Sequence, residues 1–177
     1  MHEAPATQRK RTQDHDKLKA EYVNPFLASV YHLFSTMLSS KARRGSPGLS
    51  DGRKRPTEVM ALIGLSGPIR GTVALSFPVE TAMSISSRVV GTEVTEVDET
   101  VSDAIAELVN IVTGGAKAKI SEHVGTTLDL TLPTVIRGDK YRVYSPSKAL
   151  WLEVPFTSDL GPFTLRVTFD ASLTSGR

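Results

Sequence analysis

The stretch DETVSDAIAELVNIVTGG, residues 98–115, is the part of this sequence that decides how the rest is interpreted. Its apolar side chains recur at helical spacing, and one side of the helix carries Val101, Ile105, Leu108 and Val112. Asp98 and Glu99 place acidic groups where the N-terminal dipole of a helix favours them. The pattern predicts one long helix that begins near Asp98 and continues past the glycine pair to about His123.

The other side of this helix is polar. At 100° per residue, four positions fall within about 60° of one another: Asp103, Glu107, Asn110 and Gly114. The ordinary explanation is the solvated face of an amphipathic helix. However, Asn is a poor residue for a helix interior, and each glycine costs roughly 1 kcal/mol relative to Ala. These four positions are therefore also a candidate functional strip, in which Gly114 leaves space for the backbone of a partner.

The sequence around this helix predicts an α+β domain. Asn24-Pro25 indicates a helix start, with Asn24 as the cap and Pro25 in the first turn, and the helix is expected to end near Ser40. A second helix is predicted at 79–90, and strands are predicted at 58–66, 69–77, 128–132, 149–156 and 163–169. Tight turns are expected at Gly67-Pro68 and at 137–140, and a Gly/Pro/basic connector at 41–56. This order favours helices packed on one face of a mostly antiparallel sheet.

Composition limits the possible classes of protein. The chain has 177 residues, 40% hydrophobic, which suits one domain at 20–172 preceded by a polar tail at 1–19 that we expect to be disordered. No secretory signal or membrane-length apolar run is visible, so we expect a cytoplasmic protein. Cysteine is absent, which excludes disulfides, thiolate metal sites and a cysteine nucleophile.

The positive net charge is unevenly placed. The formal charge is +2, but residues 1–20 carry +2 and residues 41–55 carry +5, so the rest of the chain carries −5. A polar tail and a solvated basic loop explain this better than a nucleic-acid surface, because the loop has no interleaved aromatic residues.

The polar strip belongs to a longer pattern. Asp103-x3-Glu107-x2-Asn110 is followed, twenty-three residues after Asn110, by Pro133. This spacing resembles the signature of the CheC/CheX/FliY phosphatases of bacterial chemotaxis: an acid or serine, three residues, Glu, two residues, Asn, twenty-two residues, Pro. The stretches 21–26, 64–67 and 71–78 also look like CheX, and the similarity spans about residues 20–170.

The resemblance implies a function and a mechanism. The substrate would be the aspartyl phosphate of a phosphorylated CheY-like response regulator, which supplies its own Mg²⁺ and lysine, so no cofactor of this chain is expected. Asn110 would orient the attacking water, Glu107 would pair with the lysine of the partner, Asp103 would support the docking surface, and Pro133 would shape the adjacent strand end. A CheC-like fold and a homodimer that joins sheets edge to edge are also implied.

An internal echo suggests a pseudo-repeat. Each half of the chain combines a helix with a later Gly-Pro turn, at Gly67-Pro68 and Gly161-Pro162. Glu21 and Asn24 repeat the Glu-x2-Asn spacing, but Lys17 stands where the first acid belongs. Pro25 disfavours helical geometry at the residue before it, so the sequence predicts a decayed first site in which Asn24 only caps a helix.

A non-catalytic adaptor that binds a receiver domain without dephosphorylating it is the principal alternative. It would have no need of Glu107, Asn110 and Pro133 together. The four histidines show no metal-ligand spacing, and no nucleophile elbow of a serine hydrolase is present.

Overall fold

A computed structural model describes residues 19–50, 58–125, 127–138 and 151–170. Three α-helices are α1 (Asn24–Thr36), α2 (Val79–Val90) and α3 (Glu99–Val124). The strands are β1 (Arg43–Arg44), β2 (Gly48–Ser50), β3 (Glu58–Ser66), β4 (Gly71–Pro78), β5 (Asp129–Leu130), β6 (Thr134–Gly138), β7 (Trp151–Ser158) and β8 (Gly161–Phe169). The predicted tail at 1–19 lies almost entirely outside the described residues.

The eight strands form one antiparallel sheet. Its order is β1-β7-β8-β4-β3-β5, with β2 also on β7 and β6 also on β3. The two hairpins β3–β4 and β7–β8 meet where β4 pairs with β8, so these four strands form the middle of the sheet. The α+β class and the helices on one face of an antiparallel sheet are confirmed, whereas the internal repeat stays a prediction.

The main core lies between the helices and one face of the sheet. Helix α1 covers the β7–β8 side, where the ring of Phe34 stacks on Phe163 at 4.4 Å and Phe163 stacks on Phe156 at 5.0 Å. Helix α3 packs on β3, β4 and β6 and against α1. The apolar side of α3 predicted from the sequence is fully buried in this core.

The opposite face of the sheet is not simply solvated. Met60, Ala74 and Trp151 form a second buried cluster there. Arg166, which the alternation of β8 places on this face, is also buried, and its guanidinium lies 3.5 Å from the Glu153 carboxylate. The middle strands are therefore covered on both faces, which the alternating pattern of β8 did not indicate.

Two predicted boundaries are wrong near the basic connector. Helix α1 ends at Thr36 rather than Ser40, and Ser39 takes a positive φ of 48°. Residues predicted as a connector include β1 and β2, which pair with β7. The outer edge of β7 is thus covered within the chain itself. A break at Pro47 interrupts the new edge, a feature typical of protected sheet edges.

The start of α1 also differs from the prediction. Asn24 is not a capping residue: the position before the helix is Val23, which is itself helical (φ −93°, ψ −39°), and no side chain caps the helix. A π-helical turn, Lys19–Val23, precedes it. A proline ring displaces the carbonyl four residues earlier, and the wider π turn accommodates such a displacement. Local preference before Pro25 is therefore overridden.

Candidate functional site: the polar strip of helix α3

Helix α3 begins where the sequence predicts. The Asp98 carboxylate caps it by accepting a hydrogen bond from the Val101 N–H at 3.3 Å, and that bond lowers the pKa of Asp98. A lowered carboxyl pKa stabilises the fold at pH above the ordinary value and loses that effect as pH falls through the lowered one. At the other end, Gly125 terminates the helix with a φ of 69°. The two ends fix a helix of 26 residues that carries the glycine pair inside it.

The structure brings the predicted strip together. Asp103, Glu107 and Asn110 are all exposed, while Ile105 and Leu108 on the other side are fully buried. Within the described part of the chain, none of the three exposed side chains has a hydrogen-bond or ion-pair partner. Two carboxylates and one amide therefore face solvent on successive turns of one helix, without a hydrogen-bond partner among the described residues.

The two glycines of α3 have different surroundings. A Cβ added at Gly114 would meet nothing within 4 Å, so packing within the described chain does not require glycine there. A Cβ at Gly115 would meet the Ser29 hydroxyl of α1 and would lie 3.5 Å from its Cβ. Gly115 thus lets α1 approach α3, whereas Gly114 leaves open space beside the strip.

Pro133 lies between the strands that follow α3. It is half-buried and immediately precedes β6, which pairs with β3 from Leu62↔Thr134 onward. The sequence predicted one strand at 128–132, but β5 comprises only Asp129–Leu130, and the chain leaves strand pairing before β6 begins. Gly138 ends β6, and the second half of the predicted turn at 137–140 lies outside the described residues.

Sequence reasoning missed the residue next to Pro133. Leu132 is 86% exposed, although it stands in a segment predicted as a strand. The available signal was the Thr-Leu-Pro tripeptide, since proline cannot donate to a sheet ladder and is found at bulges and strand ends.

The second Glu-x2-Asn pair has other geometry. Glu21 lies in the π-helical turn and is half-buried, while Asn24 is the first residue of α1 and is exposed. Both residues are helical, so the prediction that Pro25 would force Asn24 out of helical geometry is wrong. A π turn contains more residues than an α turn, so these two side chains diverge further around the axis than Glu107 and Asn110 do.

No group of three or more potential metal-ligating side chains occurs among the residues that the structure describes. No helix in the described ranges is long and apolar enough to cross a membrane.

Comparison with known proteins identifies the family. The model of the family described as "Chemotaxis phosphatase CheX" matches residues 59–157, a range that contains the polar strip and Pro133. The CheY-P phosphatase CheX of Thermotoga maritima is 32% identical over 143 residues, which cover 80% of this chain and 92% of that protein. This chain belongs to the chemotaxis phosphatase CheX family.

Solved structures of CheX proteins have the same fold. CheX from Vibrio vulnificus is 30% identical, with a TM-score of 0.74 and coverage of 85% of this chain and 99% of that one. The CheX of a Borrelia burgdorferi CheX–CheY–BeF3–Mg²⁺ complex is 26% identical, with a TM-score of 0.68 and coverage of 84% and 97%. These chains are covered almost completely, so the similarity extends over the whole CheX domain.

Proposed function

We propose that this CheX-family protein hydrolyses the aspartyl phosphate of a phosphorylated CheY-like receiver domain, and that Asn110 orients the attacking water. The observation that carries the proposal is the exposed Glu107–Asn110 pair, whose side chains have no partner within the described chain. The Borrelia relative was solved with CheY, BeF3 and Mg²⁺, which is the kind of complex this function requires.

An amide suits the task assigned to Asn110. It carries both a hydrogen-bond donor and an acceptor, so it can hold a water in one orientation without removing its proton. Transfer of a phosphoryl group proceeds through a loose transition state, for which positioning and charge stabilisation are the main requirements. A rigid position in the middle of a 26-residue helix keeps the amide where docking places it.

Glu107 has a different task in this proposal. It lies one helical turn before Asn110, so both side chains can face the same partner. Its carboxylate would pair with the lysine at the phosphorylation site of the receiver domain and set the orientation of the two proteins. Asp103 would extend the docking surface by one further turn, and Pro133 would shape the strand end beside it.

The Mg²⁺ ion belongs to the partner. It neutralises the phosphoryl charge within the receiver domain, and we propose that this chain contributes no metal or other cofactor of its own. The residues of this chain then have only to bind the receiver domain, orient the attacking water and exclude other orientations of that water. The cytoplasm, where receiver domains are phosphorylated, is the compartment we propose.

The test is the rate of phosphate loss from a phosphorylated receiver domain, measured with and without this protein. Acceleration by wild type and its loss in Asn110→Ala are expected. A protein that binds the beryllofluoride-loaded receiver but leaves the phosphate lifetime unchanged would be the adaptor instead, and the phosphatase proposal would be abandoned.

We also propose that the protein is a homodimer. The outermost described strands are β1 and β2 on one side and β5 and β6 on the other, so pairing of two sheets must use one of these edges. Light scattering at micromolar concentration should give twice the chain mass of 19.1 kDa. A mass near that of one chain would contradict the dimer without affecting the catalytic proposal.

A further inference from the structure

Leu132 is the most exposed large apolar side chain among the described residues. Its exposed fraction is 86%, compared with 62% for Leu49, which lies on the distant edge strand β2. A single exposed leucine needs no explanation by itself. What distinguishes Leu132 is how its backbone is held and where it lies.

A bulge fixes the backbone of Leu132. Between the pairs Leu65↔Leu130 and Leu62↔Thr134, three residues stand opposite two residues of β3. The Thr131 N–H donates to the Gly64 carbonyl at 3.0 Å, and the Gly64 N–H donates to Thr131 Oγ1 at 2.9 Å. The Thr131 hydroxyl in turn donates to the Leu132 carbonyl at 3.1 Å. Bulges next to active sites commonly redirect a side chain in this way.

Glycine at position 64 permits this arrangement. A Cβ there would lie 3.0 Å from Thr131 Cγ2, a tight contact that would require the threonine side chain to shift. The bulge therefore depends on specific residues. The missing Cβ of Gly64 makes room for Thr131, and the Thr131 hydroxyl donates to the Leu132 carbonyl. Strand pairing resumes at Thr134. A segment whose backbone is already fixed loses less backbone conformational entropy when a partner covers it.

Leu132 also lies level with the polar strip. The chain leaves α3 at Gly125 and runs back beside the helix until the Arg137 guanidinium donates to the Val97 carbonyl, just before α3, at 3.0 Å. From that shared end, Asn110 lies about 20 Å along the helix at 1.5 Å per residue. Leu132 lies about 17 Å along the strand at 3.3 Å per residue. The two residues are within one helical turn of each other along the axis.

We propose that Leu132 is an apolar docking residue that the receiver domain covers when its phosphorylated site meets the strip of α3. The inference rests on the proposed function and adds a residue that determines affinity rather than chemistry. The strip supplies charges and an amide, which give orientation, whereas a leucine covered by the partner contributes affinity through the apolar area removed from water. The occupant is the receiver domain, because Leu132 lies level with Asn110 along the helix axis and a receiver domain must cover Asn110 for the reaction to occur.

The test is the steady-state rate of phosphate release by Leu132→Ser and Leu132→Asp. We expect KM for the phosphorylated receiver to rise about 10-fold for Ser and more for Asp, because a leucine-sized apolar contact is lost. The value of kcat at saturating receiver should stay within about twofold, since Leu132 does not touch the reacting atoms. Thr131→Val, which removes the hydroxyl that holds the bulge, should give a smaller rise in KM.

Leu49→Ser is the matched control. It removes an exposed leucine from the far edge of the sheet, so KM and kcat should both equal those of wild type. Leu132→Ser, Leu132→Asp and Leu49→Ser alter only exposed side chains, and their melting temperatures should stay close to that of wild type, which separates docking from folding. Thr131→Val also removes the two hydrogen bonds of its hydroxyl, so its melting temperature should be slightly lower.

Three results would overturn the inference. They are an unchanged KM in Leu132→Ser, a fall in kcat without a change in KM, or a change in the mass of the protein, which would make a second copy of this chain the occupant. With active wild type and inactive Asn110→Ala, each of these leaves the proposed function intact. If wild type releases no phosphate, the function fails instead, and weaker binding of Leu132→Ser to a beryllofluoride-loaded receiver still tests Leu132.

Discussion

The chain carries the Glu-x2-Asn spacing twice, and the two copies differ in everything except spacing. Glu107 and Asn110 lie in the middle of α3, both exposed, with Asp103 one turn before and open space at Gly114 one turn after. Glu21 and Asn24 straddle the junction of a π turn and α1. Glu21 is half-buried, and Lys17 precedes it where the other copy has an acid.

This contrast shows that the same sequence spacing can give two different local geometries. In an α-helix, two side chains three positions apart lie within about 60° of one another around the axis. Across the wider π turn, the same spacing leaves the two side chains further apart around the axis. The family model also covers the α3 copy and not the N-terminal one, since its match begins at residue 59. We therefore expect one active site per chain, at α3.

The largest effect is expected from Asn110→Ala. If the amide orients the water, turnover of the phosphorylated receiver should fall by roughly 100-fold or more. The fold should be as stable as wild type or slightly more so, because Ala is the better helix former at an exposed position. Phosphate-release rate and melting temperature on this one variant check both statements. A stabilised and fully active Asn110→Ala would show that the strip is only a solvated face.

Glu107→Ala should affect binding as well as turnover. Losing a charged pairing at an interface typically weakens affinity by about 10-fold or more, so binding to the beryllofluoride-loaded receiver should weaken in this variant but survive in Asn110→Ala. Titration by fluorescence or calorimetry measures the difference. Equal binding by the two variants would contradict the separate roles proposed for Glu107, which orients the complex, and Asn110, which orients the water.

Gly114→Ala and Gly115→Ala form a matched pair. At Gly114 the new methyl group meets nothing in the described chain, so the fold should gain about 1 kcal/mol from helix propensity. At Gly115 the methyl group displaces the Ser29 hydroxyl, so this variant should be the less stable of the two. If Gly114 makes room for a partner, Gly114→Ala should nevertheless raise KM. A more stable variant with unchanged KM would assign Gly114 no role in docking.

Asn24→Ala should have the smallest effect. Because Asn24 makes no capping hydrogen bond, stability should not fall by the 1 kcal/mol or so that a lost cap typically costs. Turnover should remain close to that of wild type, and Asn24→Asp serves as the isosteric control. Loss of a large share of activity in either variant would show that the N-terminal copy is catalytically active. The expectation of one active site per chain would then be wrong.

Local sequence was sufficient to predict the elements whose ends are marked by residues within or next to them. The helix at 79–90 and the strand at 58–66 have the predicted bounds, and Asp98 and Gly91 terminate helices as their residue types indicate. The composition of the strip on α3 followed from helical periodicity, which depends on neighbours within one or two turns. Those features belong to the sequence by itself.

Tertiary structure decided what depends on residues far apart in the chain. The bulge at Leu132 exists because Gly64, sixty-seven positions from Thr131, exchanges hydrogen bonds with it. The connector forms β1 and β2 because β7 offers an edge to pair with, and Asn24 is helical because the turn before it is helical too. Pro133 indicates locally that strand pairing is interrupted, but it does not say which strand lies alongside. A sheet edge, a bulge and a helix junction each depend on which distant backbone lies alongside, and the local sequence does not specify that backbone.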